Sequence, residues 1–197
     1  MTRSFKTLDF DLGEIEFSDG GRQGFTIMAG AGYDAKIMED AEPGKKLLGP
    51  MAYFTSAVAN ALPQFAEFEL TIDGDVVRSS GVGVLVVNFS RMQFDISVVH
   101  ENKPRDGMFD VVVLRTKDAF GLIPALFAAI LDRSGDFPNR AGAFEVFRGS
   151  EVTVVSDPPL GVQFDGEAIG LQTPFKARLL PEAARYVVSE ECIKTYA

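Results

Sequence analysis

The chain reads as a mainly β protein, an antiparallel β-sandwich with two main helices, on three observations. Apolar and polar residues alternate with period two along much of its length, Asp-Gly pairs sit between apolar runs, and only two stretches carry helical spacing. Alternation with period two sends successive side chains to opposite faces of a strand, which suits a sheet with one face buried. Asp-Gly suits the tight turns that join antiparallel neighbours, because both central residues take positive φ there. A parallel sheet would need a helix after almost every strand, and the helical segments are too few for that.

The elements follow in order. Leu8, Phe10 and Leu12 alternate with Asp9 and Asp11, and Ile15 and Phe17 continue the pattern. Phe25-Thr-Ile-Met28 is strand-like and runs into a glycine-rich stretch. Residues 50–62 predict the first helix: Pro50 suits a first helical position, Met51, Phe54, Val58 and Leu62 share a face, and Pro63 ends it. Phe68, Leu70 and Ile72 alternate with Glu69 and Thr71 up to Asp73-Gly74, and Val76-Val77 answers them across the turn. Residues 81–88, all apolar or glycine until Asn88, predict a strand buried on both faces. Residues 108–115, 144–148, 151–156, 175–180 and 185–189 complete a set of about ten strands. The second helix spans residues 119–131, with Asp118 as its N-cap and a bend at Pro124. It is apolar all round, which predicts that it is covered rather than free in solvent.

The 197 residues suffice for one sizeable core, and the expectation is a single domain over residues 1–197. The formal net charge is −9. Neutralising phosphates takes the opposite sign, so nucleic acid is excluded as a main partner, and docking on anionic lipid through a basic face is disfavoured. Cys192 is the single cysteine, which rules out an internal disulfide and fits a reducing compartment. Neither the opening residues nor the longest apolar run, residues 119–131, predicts a secretory signal or a membrane span, which takes about 20 apolar residues. The expectation is a cytoplasmic protein, with peripheral membrane contact left open. So is a homodimer.

Several segments carry potential chemistry. Gly30-Ala-Gly-Tyr-Asp-Ala35 matches the dinucleotide pattern of glycines after a strand, but the long helix and the later ribose-binding acid that the mechanism needs are missing. What remains is a tight glycine turn ending a strand. His100 is the only histidine, so no triad with a second imidazole exists, and a surface position is expected for it. Lys45 and Lys46 suit either phosphate or plain solvent. Asp106-Gly-Met-Phe-Asp110 places two carboxylates about a turn, where Asp106, Asp110 and main-chain carbonyls could hold Mg²⁺ or Ca²⁺, or simply cap a solvated turn. The most telling stretch is residues 160–174. Leu160, Val162 and Phe164 enter an Asp165-Gly166 turn, Ile169 and Leu171 leave it, and Glu167 stands directly after it. A hairpin carries such a side chain rigidly at the rim of a sheet, where it either meets a ligand or is merely solvated.

In sequence order, Phe25…Ala29-Gly-Ala-Gly-Tyr-Asp-Ala35, Lys46-Leu-Leu-Gly49…Ala52-Tyr53, Val86-Val-Asn88, Asp106-Gly-Met-Phe-Asp110 and Val162-Gln-Phe-Asp-Gly-Glu167 resemble the C-terminal domain of the diacylglycerol kinase-like bacterial lipid kinases, relatives of sphingosine and ceramide kinases. The likeness covers the chain from about Phe5 to Val188. It implies a β-sandwich that follows an N-terminal domain carrying a G-G-D-G-T loop, with ATP bound in the cleft between the two. No such run occurs in this chain, so the resemblance implies half of an enzyme, inactive without the missing N-terminal kinase domain.

The resemblance further implies that Glu167 is the catalytic glutamate, acting on the hydroxyl of a lipid substrate directly or through Mg²⁺ and water. It implies that Asp106, Met108 and Asp110 hold a structural Mg²⁺, and that ATP and Mg²⁺ are the cofactors. Two departures stand out. Phe89-Ser-Arg-Met-Gln-Phe94 and Val99-His100 replace a glycine cluster and an Ala-Pro, and Ile27 replaces an asparagine. The alternatives are a non-catalytic lipid-binding or regulatory module of the same fold, and a kinase for a soluble substrate, since NAD kinases share the two-domain plan.

Overall fold

The computed structural model describes residues 6–32, 64–89, 105–115 and 144–196. Two six-stranded antiparallel sheets make up the described fold. The strands are β1 (Lys6–Phe17), β2 (Arg22–Phe25), β3 (Met28–Gly32), β4 (Ala66–Ile72), β5 (Asp75–Gly81), β6 (Gly83–Val87), β7 (Phe109–Leu114), β8 (Phe144–Gly149), β9 (Glu151–Asp157), β10 (Gly161–Phe164), β11 (Glu167–Gln172) and β12 (Phe175–Val188), and α1 (Glu190–Tyr196) follows. Sheet one runs β2-β1-β12-β9-β4-β5 and sheet two runs β11-β10-β3-β6-β7-β8. The helices expected over residues 50–62 and 119–131 lie outside the described residues.

Alternation decides which side chains enter the core. Along β4, Ala66, Phe68, Leu70 and Ile72 are buried while Glu67 and Glu69 are exposed. On β9, Val152 and Val154 point inward in the same way. These meet Ala29, Ala31, Val84, Val86, Phe109, Val111, Val113 and Val162 of sheet two in one apolar cluster. Phe25 and Phe109 stack across it with centroids 5.6 Å apart. On β6 and β7 the opposite face is closed to solvent as well, at Leu85, Val87, Val112 and Leu114. That is why these two strands read as unbroken apolar runs.

Four local expectations are corrected. Gly30-Ala-Gly32 lies in β3 rather than in a turn, bonded to β10 on one side and β6 on the other, while residues 33–35 of the same run lie outside the described residues. At Gly32 a glycine is required by close packing and by its left-handed backbone. A Cβ on Gly32, whose φ is +101°, would come within 2.5 Å of the Val82 carbonyl oxygen. Next, the apolar run of residues 81–88 is two elements, because the chain crosses from sheet one to sheet two at Val82, whose N–H donates to the Leu114 carbonyl at 2.8 Å. Third, the two apolar runs at each end of the chain join into single strands. β1 and β12 pair from Lys6 opposite Val188 to Phe17 opposite Phe175, through a bulge between Phe10 and Leu12. Fourth, β2 and α1 were not foreseen. The short α1 is capped by Ser189, whose hydroxyl oxygen accepts from the Cys192 N–H at 3.2 Å.

Candidate functional site

Antiparallel register gathers the motif residues at one end of sheet two. Met28 pairs with Val87, Val87 with Asp110, Asp110 with Arg148, Ala29 with Phe164, and Phe164 with Glu167. The starts of β3, β7 and β11 and the ends of β6, β8 and β10 therefore share one rim. Residues far apart in sequence, Thr26, Asn88, Asp110, Asp165 and Glu167, stand along it.

The Asp165-Gly166 pair forms the expected hairpin turn, with φ of 45° and 84° at its two central residues. Its aspartate does more than turn the chain. The Asp165 carboxylate accepts the backbone N–H groups of Thr26 at 2.7 Å, Ile27 at 2.7 Å and Met28 at 3.1 Å, while its own N–H donates to the Met28 carbonyl at 2.8 Å. Buried Gln163 steadies the turn from below by accepting the Gly166 N–H at 3.1 Å. The hairpin is thus tied to the corner that leads into β3.

Asn88 holds the other side of that corner. Its amide donates to the Thr26 carbonyl at 2.8 Å and the Asp11 carbonyl at 3.0 Å, and its backbone N–H donates to the Ile27 carbonyl at 2.9 Å. Asp11 extends the web, its buried carboxylate accepting the Gly107 N–H and the Glu182 N–H, each at 2.9 Å. A continuous set of hydrogen bonds therefore runs from the Asp165 turn, through residues 26–28, Asn88 and Asp11, to the turn that precedes β7.

Glu167 opens β11 and is exposed. Among the described residues its carboxylate takes part in no ion pair and no side-chain hydrogen bond, unlike most of the acids around it. Asp106 and Asp110 stand differently. The Arg148 guanidinium donates from Nε to Asp110 at 3.2 Å and from Nη2 to Asp106, bridging the two carboxylates. The second Asp106 oxygen accepts the Met108 N–H at 3.1 Å. A divalent cation needs several carboxylate and carbonyl oxygens with free lone pairs around one point. Here a guanidinium already lies between the two acids, so Asp106, Met108 and Asp110 as arranged do not fit Mg²⁺, and no group of three or more acid, histidine or cysteine side chains suits a metal among the described residues.

Sequence reasoning missed the clamp made by Asp165, the hub at Asp11 and the bridge made by Arg148. The Asp-Gly pair signalled a turn, but nothing in it signalled what the carboxylate would grip. Arg148 meets Asp110 only through the pairing of β7 with β8, and no local pattern encodes that register. His100, Lys45 and Lys46 lie outside the described residues.

The architecture agrees with what the chain is similar to. A family model described as the YegS C-terminal NAD kinase beta sandwich-like domain matches residues 27–188. A Staphylococcus haemolyticus protein whose name provisionally makes it a lipid kinase is 24% identical over 164 residues, covering 82% of this chain and 52% of that protein. An uncharacterised protein of Synechocystis is 25% identical over 169 residues, covering 80% of this chain and 37% of its own length. A crystal structure from Bacillus anthracis, provisionally described as a diacylglycerol kinase, superposes with a TM-score of 0.69 at 19% identity, covering 94% of this chain and 59% of that one. Another from the same organism, described as a diacylglycerol kinase, gives 0.63 at 15% identity, covering 94% and 56%. The chain spans between 37% and 59% of the length of these relatives.

Proposed function

We propose a function from one premise: the chain belongs to the YegS C-terminal NAD kinase beta sandwich-like domain family. On that footing it is the C-terminal domain of a diacylglycerol kinase-like lipid kinase, and the whole enzyme transfers the terminal phosphoryl group of ATP to a lipid hydroxyl. The names carried by the matched relatives support the lipid reading over the soluble-substrate one.

One observation carries the catalytic part of the reading. Glu167 is an exposed carboxylate without a partner among the described residues, set next to a turn held by three backbone N–H groups. A proton acceptor must be open to the substrate and rigidly carried, and Glu167 meets both conditions. Glu167 takes the proton of the lipid hydroxyl as its oxygen attacks phosphorus, and the Asp165 clamp keeps the carboxylate in place while it does so. ATP with Mg²⁺ would supply the phosphoryl group, with ADP as the leaving group. The chain contains no G-G-D-G-T run, so the phosphates are held by a separate N-terminal domain. The lipid acceptor brings the enzyme to a membrane surface from the cytoplasmic side. With a net charge of −9, this chain contributes no general attraction to an anionic leaflet.

The second reading, a non-catalytic lipid-binding module, is favoured by the residues after Asn88, where Phe89-Ser-Arg-Met-Gln-Phe94 stands in place of the family's glycine cluster. Steady-state kinetics of Glu167→Gln, in the protein that unites this domain with its nucleotide-binding partner, separate the two. Loss of a general base is expected to lower turnover by about a hundred- to ten-thousand-fold. Stability should change by less than about 0.5 kcal/mol, as for an exposed unpaired residue. Unchanged turnover would remove Glu167 from the mechanism.

A further inference from the structure

The Asp106–Asp110 corner poses a charge problem that the fold solves in an unexpected way. Asp110 is only 3% exposed, and its carboxylate sits at the start of a strand buried on both faces. A buried carboxylate needs a counter-charge with donors aimed at it. Asp106 brings a second carboxylate to the same place. Arg148 lies directly across the ladder from Asp110, near the end of β8, and one edge of its guanidinium, Nε and Nη2, reaches both acids. The turn between them is fixed independently, by Gly107 at φ +74° and by its N–H donating to Asp11 at 2.9 Å. Charge, direction and reach all come from within the chain.

We propose that Arg148 is a resident cation that stands where a divalent metal ion would otherwise bridge Asp106 and Asp110, so that this corner of the domain forms without metal. A guanidinium carries one positive charge and rigidly directed donors, and it delivers them from a strand already in the sheet. A divalent ion entering between the same carboxylates would have to displace it. Without Arg148 the two acids and the Met108 carbonyl become a set of hard oxygen donors, the type that Mg²⁺ accepts. The corner connects through Asp11 and Asn88 to residues 26–28, which the Asp165 turn also grips. The geometry beneath Glu167 is therefore independent of Mg²⁺, whatever metal the nucleotide brings. This inference does not rest on the lipid kinase reading.

Thermal melts of the EDTA-treated chain, titrated with MgCl2 to about 10 mM against NaCl of equal ionic strength, test it. Ligand at ten times its dissociation constant would raise the midpoint by about 3–6 °C. The unaltered protein is expected to shift by less than about 1 °C beyond the NaCl control. Arg148→Met should melt roughly 4–8 °C lower in EDTA and regain about 3–6 °C in MgCl2. Arg148→Lys keeps the charge and should melt between the two, without a magnesium response. A saturable rise in the unaltered protein would overturn the proposal. So would an Arg148→Met protein that melts like the unaltered one, or that answers MgCl2 no more than NaCl. Should Arg148→Met fail to fold, the titrations of the unaltered protein and of Arg148→Lys still decide.

Discussion

Two Asp-Gly turns place an aspartate in the left-handed region, Asp73 at φ 48° and Asp165 at φ 45°, and both carboxylates accept backbone N–H groups from a neighbouring turn. Asp165 grips residues 26–28. Asp73 accepts the Ser150 N–H at 3.0 Å, the Ser150 hydroxyl at 2.9 Å and the Glu151 N–H at 2.8 Å, which ties the β4–β5 hairpin to the β8–β9 turn. Burial alone would raise the Asp73 pKa, but donors from Glu151 and Ser150 outweigh it and hold the carboxyl below its ordinary value. A folded-state pKa below the unfolded one adds stability above the unfolded value, and that stability is lost as pH falls through the folded one. The melting midpoint of Asp73→Asn is therefore expected to lie below that of the unaltered protein at neutral pH. The gap should close below about pH 4, and melts from acid to neutral pH of both proteins would show it. A gap that stays constant through the acid range would mean that the carboxylate charge contributes nothing.

At the scale of elements, the crossing from β5 to β6 carries the chain from one sheet to the other through the single residue Val82. Gly81 makes it possible: a Cβ there would lie 2.1 Å from the Leu114 carbonyl oxygen and 2.8 Å from its carbon. Both are backbone atoms of a strand paired on both sides, so they have little freedom to retreat. Gly81→Ala is expected to cost about 2–4 kcal/mol, at the upper end for overpacking, because relief requires moving β7 rather than turning a side chain. Urea denaturation would measure it, and a cost under about 0.5 kcal/mol would mean that the crossing is softer than its geometry. The long pairing of β1 with β12 works at the same scale. The family match begins at residue 27, yet β1 lies between β2 and β12 within sheet one, so the residues before the match are structural members of the same sandwich.

For the whole molecule, the proposed function makes the sandwich one part of a kinase, with the Glu167 rim on the acceptor side. Phosphoryl transfer depends mostly on positioning the phosphates and stabilising their charge, and this chain, with a net charge of −9, lacks the glycine loop that would do either. The 197-residue chain alone is expected to show no ATP-dependent phosphorylation of diacylglycerol vesicles, measured as transfer of labelled phosphate to lipid. Turnover above background would refute the division of labour between two domains. Among the described residues no helix is long and apolar enough to cross a membrane.

Much of this was legible in one dimension, for physical reasons that can be named. Alternation along residues 66–72 specified which face of β4 is buried, because side chains in a strand alternate whatever the partner is. Asp-Gly at residues 73–74 and 165–166 specified two hairpins, because a tight turn is decided by local φ and needs no distant contact. The same local logic placed Glu167 at the start of a strand on a sheet rim. What the sequence could not hold is pairing between strands far apart in the chain. The placement of Gly30 within β3, the split of residues 81–88 between two sheets, the grip of Asp165 on residues 26–28 and the bridge of Arg148 over two acids all depend on which strand lies beside which. Local propensity sets the direction of a side chain, while the identity of its neighbour is set by how two whole sheets bury their apolar faces, and only the tertiary structure decides that.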